Sequence, residues 1–360
     1  MYIMCAAITL AATSAKAQTI QMSQKGDTTI LNITNPTKYL LLPIEEAKDE
    51  ARVLLDTSSP ADTWMDVRLA QDKIDYYVPF ELGNGTRATV KILNLKHDAI
   101  CYKPNILKLS NEWSTANTDF YRPSYHHTPS YGWMNDPNGL FYKDGVWHLY
   151  FQYNPYGSQW ENMTWGHSTS KDLVHWVHQG NAISPDALGT IFSGSAIVDK
   201  INTSGLGKGT VVAMYTSAGK SQTQSLAYST DDGKTFTKYA NNPVITAEVP
   251  DFRDPHMFWN EDIHAWNLIL AAGQEMNIYS SKDLKNWTFE SAFGLGYGNH
   301  DGVWECPDLM KLPVNGTGEE KWLLICNINP GGPFGGSATQ YFVGSFDGHK
   351  FTCESKPDVT

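Results

Sequence analysis

Between residues 18 and 117, short alternations of apolar and polar positions follow one another, each closed by a turn signal. The alternating segments are 29–33, 38–43, 53–56, 65–69, 74–80, 88–95 and 106–109. Asn35-Pro36, Ser58-Ser59-Pro60, Gly83-Asn84-Gly85-Thr86 and Lys103-Pro104-Asn105 separate several of them. A period of two sends successive side chains to opposite faces, so each segment predicts a strand with one buried face. Strands this short and this regularly spaced predict a small β-sandwich over residues 18–118, in which no catalytic constellation is visible. Residues 111–127 then read as a linker.

Beyond residue 133 the alternation acquires a longer period. The unit Asp-(Leu or Gly)-x-x-(Trp or Phe) occurs as Asp172-Leu173-Val174-His175-Trp176, Asp232-Gly233-Lys234-Thr235-Phe236, Asp283-Leu284-Lys285-Asn286-Trp287 and Asp347-Gly348-His349-Lys350-Phe351. Strand-like runs at 165–168, 225–229, 277–280 and 341–345 precede the four copies. The Asp-Leu/Gly step reads as a hairpin turn and the aromatic as the start of the outgoing strand. Copies return at intervals of roughly 50 to 65 residues, the spacing of one four-stranded blade of a β-propeller. The first strand of each repeat is then expected to line the central channel.

Composition supports an all-β chain: 12 Trp and 18 Tyr accompany many glycines, and charged residues are only 18%. The formal charge of −11 excludes nucleic acid as a partner, because binding phosphates takes a basic surface. A neutral carbohydrate suits an aromatic-rich surface better. Residues 2–12 are apolar and Ala15-Lys16-Ala17 offers small residues for cleavage, so residues 1–17 read as a signal peptide cut before Gln18, although the usual positive flank is lacking. This points to a secreted or periplasmic protein, or one associated with the cell surface. No later run is long enough for a transmembrane segment. Cys101, Cys306, Cys326 and Cys353 are widely spaced with no CxxC pair, and the 11 histidines show no ligand spacing, so no metal site is expected. The oligomeric state is not legible.

Candidate chemistry centres on Trp133-Met134-Asn135-Asp136-Pro137-Asn138-Gly139. Alone, Asp-Pro-Asn-Gly reads as a strand ending in a tight turn. Similar acid-before-proline units recur, however, in Phe252-Arg253-Asp254-Pro255 and Trp304-Glu305-Cys306-Pro307-Asp308. Asp136, Asp254 and Glu305 open the first, third and fourth repeats, and Phe192-Ser193-Gly194-Ser195-Ala196 opens the second. Three carboxylates thus aim at one channel mouth, and carboxylates are rarely buried without a partner or a task. Two carboxyl groups suffice to cleave a glycosidic bond, one as nucleophile or base and one as acid, and a third kept ionised can hold hydroxyls. Arg253 favours ionisation of Asp254. Trp304, Cys306 and Pro307 give Glu305 a drier setting, which points to Glu305 as the acid.

In this order and at these spacings, the three motifs resemble the signature motifs of glycoside hydrolase family 32, the invertase, inulinase and levanase family, over about residues 124–351. The resemblance implies a five-bladed β-propeller, a retaining mechanism on β-fructofuranosides such as levan, inulin or sucrose, and no metal or other cofactor. Position by position, Asp136 resembles the nucleophile, Glu305 the general acid/base and Asp254 the transition-state stabiliser. Asn135, Gln152, Trp160, Phe192, Ser193 and Arg253 match positions lining the family's fructose pocket. Trp160 and Phe192 also fit ordinary blade packing, and Gln152 and Ser193 could merely satisfy backbone groups. Trp165-Gly166-His167 follows the family pattern too, but reads as strand packing. The chain stops just after the fourth repeat, so about four blades of the propeller (residues 119–360) are expected, without the family's last blade or C-terminal sandwich. The N-terminal β-domain is an addition similar to one found ahead of some bacterial fructan hydrolases. A fructosyltransferase on the same scaffold and a non-catalytic fructan-binding protein are the competing readings.

Overall fold

The computed structural model describes residues 18–355 other than 59–62, 115 and 117–119. The signal-peptide segment and the domain boundary placed at 118/119 therefore lie outside the described residues. By contact density the chain divides into two units after Ser114.

In the first unit the alternating segments become strands β1 (Thr19–Lys25), β2 (Thr28–Thr34), β3 (Tyr39–Ile44), β4 (Ala51–Leu55), β5 (Met65–Val67), β6 (Tyr76–Glu81), β7 (Arg87–Leu93) and β8 (Lys108–Ser110). They form a five-stranded sheet, β1-β2-β7-β4-β5, and a three-stranded sheet, β6-β3-β8. Leu31, Ile33, Leu40, Leu42, Val90 and Ile92 are fully buried, each removing enough apolar surface for roughly 1.5–3 kcal/mol. Strand β1 was not foreseen. It is an edge strand with mostly exposed side chains, so its sequence carries almost no alternation to read.

The second unit consists of four antiparallel four-stranded sheets, the blades of a β-propeller. Blade one is β9 (Trp133–Lys143), β10 (Val146–Asn154), β11 (Thr164–Ser170) and β12 (Trp176–Ile183). Blade two is β13 (Thr190–Asp199), β14 (Thr210–Ala218), β15 (Gln222–Ser229) and β16 (Thr237–Lys238). Blade three is β17 (Phe252–Asn260), β18 (Ala265–Ala272), β19 (Glu275–Ser281) and β20 (Thr288–Phe293). Blade four is β21 (Val303–Pro313), β22 (Glu320–Asn329), β23 (Ala338–Phe346) and β24 (Phe351–Cys353). Apolar layers fill the spaces between successive blades: Tyr150, Trp165 and Tyr215 between the first two, Met214, Phe252 and Leu268 between the next two, and Ile278, Trp304 and Leu324 between the last two.

The repeated Asp is a turn-former with a defined job. Asp172 Oδ1 accepts the backbone N–H groups of Val174 and His175 (2.9 and 2.8 Å), and Asp283 Oδ1 accepts those of Lys285 and Asn286 (3.0 and 2.8 Å). Asp347 does the same for His349 and Lys350. In the second copy the register differs: Asp231, not Asp232, accepts from Thr235, while Asp232 adopts a left-handed backbone (φ 64°). Each turn launches the fourth strand of its blade, which begins at or just after the repeated aromatic.

The first strands of successive blades pack side by side, β9 on β13, β13 on β17 and β17 on β21. They share no ladder, so side chains bolt them together. Asn138 Oδ1 accepts Gly194 N–H (3.0 Å), Ser195 Oγ accepts Met257 N–H (2.8 Å) and Asp254 Oδ2 accepts Cys306 N–H (3.0 Å). The Trp165 indole donates to Phe192 O (3.1 Å) and is wholly buried, the packing role its sequence setting suggested.

Candidate active site

Each inner strand carries a β-bulge at the same depth, where two of its residues oppose one on the neighbouring strand. Asn135 and Asp136 lie opposite Gln152, Phe192 and Ser193 opposite Thr216, Asp254 and Pro255 opposite Leu270, and Cys306 and Pro307 opposite Cys326. A bulge breaks the strict alternation and re-aims the side chains beside it. Proline suits such a position because it has no N–H to offer the ladder. The acid-before-proline units are therefore not turns. The chain passes straight through Asp136-Pro137-Asn138-Gly139 within β9, and Asn138 serves the bolt to β13 instead of a turn. Gly139 has a left-handed backbone (φ 53°), and a Cβ there would press on the rings of Tyr150 and Trp165 and on Ala196 at 3.0–3.2 Å.

Three of the bulges, with Glu305 just ahead of the fourth, line one cavity of about 330 Å³. Asn135, Asp136, Gln152, Trp160, Phe192, Ser193, Arg253, Asp254 and Glu305 all line it, so every residue singled out from the sequence is brought together. Gln222 and Asp251 line it as well and were missed. Asp251 precedes β17 with a left-handed backbone (φ 55°), so strand alternation gave no signal for it. Gln222, at the start of β15, offered no signal.

The carboxylates differ in their surroundings. Asp136 accepts a short hydrogen bond from Ser193 Oγ (2.7 Å) and a longer one from Asn135 Nδ2 (3.4 Å). Asp254, only 6% exposed, takes up a left-handed backbone (φ 65°), which Asp tolerates better than most residues. Burial pushes its carboxyl up from 3.8 to about 6, with Asp136 and Glu305 adding to the rise and Arg253 and the Cys306 N–H opposing it. Glu305 keeps 30% of its side chain exposed, and its Oε1 accepts a hydrogen bond from Arg253 Nη2 at 2.8 Å. The expectation of a drier setting for Glu305 than for Asp254 is thus reversed. On a strand, Trp304 points into the blade core while its neighbour Glu305 points into the cavity, so apolar neighbours in sequence did not report the environment of the acid.

Arg253 joins the carboxylates. Burial works against its charge, but hydrogen bonds to Glu305 and Asp251 outweigh that and hold it more basic than usual. Its Nη1 pairs with Asp251 Oδ1 and approaches Gln222 Oε1 (3.4 Å), and its Nε lies 3.7 Å from Asp254 Oδ2. Cys306 Sγ sits 3.5 Å from both Asp136 Oδ2 and Asp254 Oδ2, and burial with the two carboxylates raises its pKa strongly, so it stays a thiol. Among the described residues, Asn135 Oδ1 and Gln152 Nε2 are buried without a protein partner, an acceptor and a donor available to a ligand. Trp160, 52% exposed, stands edge-on to Phe192 at 6.1 Å and forms a ring wall of the mouth.

Comparison with known proteins gives this arrangement a context. Residues 126–359 match the N-terminal domain of glycosyl hydrolases family 32, and residues 25–125 match a domain of unknown function, DUF4980. The levanase of Bacillus subtilis (strain 168) is 54% identical over 244 residues, which cover 66% of this chain and 36% of the levanase. The extracellular exo-inulinase of Aspergillus ficuum is 47% identical over 266 residues, covering 64% and 49% respectively. The structure of the fructofuranosidase from Schwanniomyces occidentalis complexed with fructose superposes with a TM-score of 0.64 at 45% identity, over 68% of this chain and 50% of that one. The chain therefore spans about a third to a half of the length of these relatives.

Proposed function

The chain belongs to glycosyl hydrolase family 32, and from that premise we propose that it is a β-fructosidase hydrolysing levan, inulin or sucrose with retention of configuration. The observation that carries the reading is the convergence of Asp136, Asp254 and Glu305 on one small cavity with Arg253 between them. Its volume lies near the lower end of the range for small-ligand pockets, about 300–1,000 Å³.

In this mechanism an Asp136 oxygen attacks the anomeric carbon of the terminal fructosyl unit while Glu305, protonated, gives its proton to the departing glycosidic oxygen. Water, deprotonated by Glu305, then releases fructose and restores Asp136. The Ser193 hydroxyl orients Asp136 for attack. Asp254 hydrogen-bonds ring hydroxyls as positive charge develops on the sugar. Asn135 and Gln152 supply the acceptor and donor that fix the ring, and Trp160 with Phe192 covers its apolar face. No residue of this scheme calls for a metal or organic cofactor. The leader-like N-terminus and the extracellular relative support a site of action outside the cytoplasm, and no helix among the described residues is long and apolar enough to cross a membrane.

The test is release of sugar from levan, inulin and sucrose by the intact protein and by Asp136→Ala. Release that the substitution reduces by several orders of magnitude supports the nucleophile, whereas undiminished release refutes it. Longer fructosides accumulating at high sucrose would instead favour a transferase, and tight binding of levan without turnover a binding protein.

A further inference from the structure

Among the described residues, the cavity is lined by one cation and too many carboxylates for it. Asp136, Asp251, Asp254 and Glu305 all line it, and Arg253 is the single guanidinium among them. The other groups near Glu305 are the Cys306 thiol of its own strand and Cys326 behind it on β22. His256 Nδ1 on β17 and Asp308 Oδ1 on β21 lie 3.0 Å apart. A general acid must carry a proton, yet Glu305 Oε1 accepts a hydrogen bond from the charged Arg253 Nη2 at 2.8 Å. Something has to weaken the hold of Arg253 on Glu305.

We propose that Asp251 is a positioning residue that shares Arg253 with Glu305, drawing the guanidinium towards itself so that Glu305 can take up the proton it donates. The geometry places it for this task. Asp251 Oδ1 takes Nη1 of the fork while Glu305 Oε1 takes Nη2, so the two acids compete for one planar group. Gln222 Oε1 lies at 3.4 Å on the Asp251 side and steadies that end. Asp251 also holds a left-handed backbone (φ 55°), a conformation that costs free energy.

This inference rests on the hydrolase reading, and the test separates the two. In the intact protein, kcat/KM is measured against pH for the native chain, Asp251→Asn and Asp251→Glu, on sucrose and on an aryl β-fructofuranoside whose phenolate leaves without needing a proton. On sucrose, Asp251→Asn is expected to move the alkaline limb down by about one pH unit, the effect of one charge on a partly hydrated neighbour, and so to lose about tenfold at pH values above that limb. The loss on the aryl fructoside is smaller at every pH, and Asp251→Glu restores the native profile on sucrose. An unmoved alkaline limb, or equal losses on both substrates, overturns the proposal while leaving the hydrolase intact. A native protein that turns over neither substrate overturns the hydrolase reading and this inference with it.

Discussion

Replacing Asp254 by Asn removes a charge from the most enclosed carboxylate of the cavity, and the protein is expected to become more stable as it loses activity. The folded carboxyl titrates near 6 instead of 3.8, chiefly because burial penalises its ionised form. A group whose folded pKa is raised contributes fully below the unfolded value and loses that contribution as pH rises through the folded one. The window is therefore pH 3.8 to about 6. At roughly 1.4 kcal/mol for each pH unit, ionising Asp254 in the native state costs about 3 kcal/mol by pH 7. Asn is neutral throughout and its Oδ1 can still accept the Cys306 N–H, so that cost disappears without leaving the amide unpaired. Urea unfolding of both proteins at pH 4, 5, 6, 7 and 8, followed by tryptophan fluorescence, reads the difference. Asp254→Asn should match the native protein near pH 4 and exceed it by up to about 3 kcal/mol at pH 7. A gain of the same size at every pH, or a deficit that grows with pH, would show that desolvation does not govern this group.

Two other substitutions probe separate parts of the molecule. Ser193→Ala deletes the hydroxyl that donates to Asp136, a bond to a charged group worth about 1.5–3 kcal/mol, so kcat/KM should fall by up to roughly 10- to 150-fold; a loss under twofold would count against an orienting role. Asp283→Ala strips the third-blade turn of its acceptor and should lower stability by about 1–2 kcal/mol at pH 7 while sparing kinetics. Those backbone hydrogen bonds, set against partial burial, hold Asp283 below its usual range, so its contribution is present above the unfolded value of 3.8 and fades as pH falls through the lower folded one. Unfolding at pH 7 and pH 2.5 checks this, and an equal deficit at both would refute it.

Much of the fold was legible because period and turn chemistry are local. The seven foreseen strands of the first unit and the four blade repeats follow from alternation and from Asp-Leu/Gly turns, whose hydrogen bonds close within four residues. Edge strand β1 was invisible for the same reason, since nothing buries its side chains. The convergence of Asp136, Asp254 and Glu305 could be read because the repeat assigned all three to equivalent strands. Their individual environments could not, because neighbours along a strand face opposite ways: Trp304 says nothing about the surroundings of Glu305, and the dryness of Asp254 comes from β14 and β21, far off in sequence. Asp136-Pro137-Asn138-Gly139 misled in another way. Its residues favour a turn in isolation, and only the packing of β9 against β10 and β13 makes a bulge the better solution.

The four bulges divide labour between backbone and side chain. Each inner strand departs from its partner by one inserted residue at the same level, yet what stands there differs: Asn135-Asp136, Phe192-Ser193, Asp254-Pro255 and Cys306-Pro307. Geometry is thus duplicated while chemistry is not. Four bulges of one form face one another, and substitutions at these eight positions, with Glu305 just ahead of the fourth, can rewrite where an acid, a hydroxyl or a thiol stands. The two strands of each blade farthest from the channel are spared in such an exchange. A protein built this way can acquire a new reaction by refilling a socket, with no blade rebuilt.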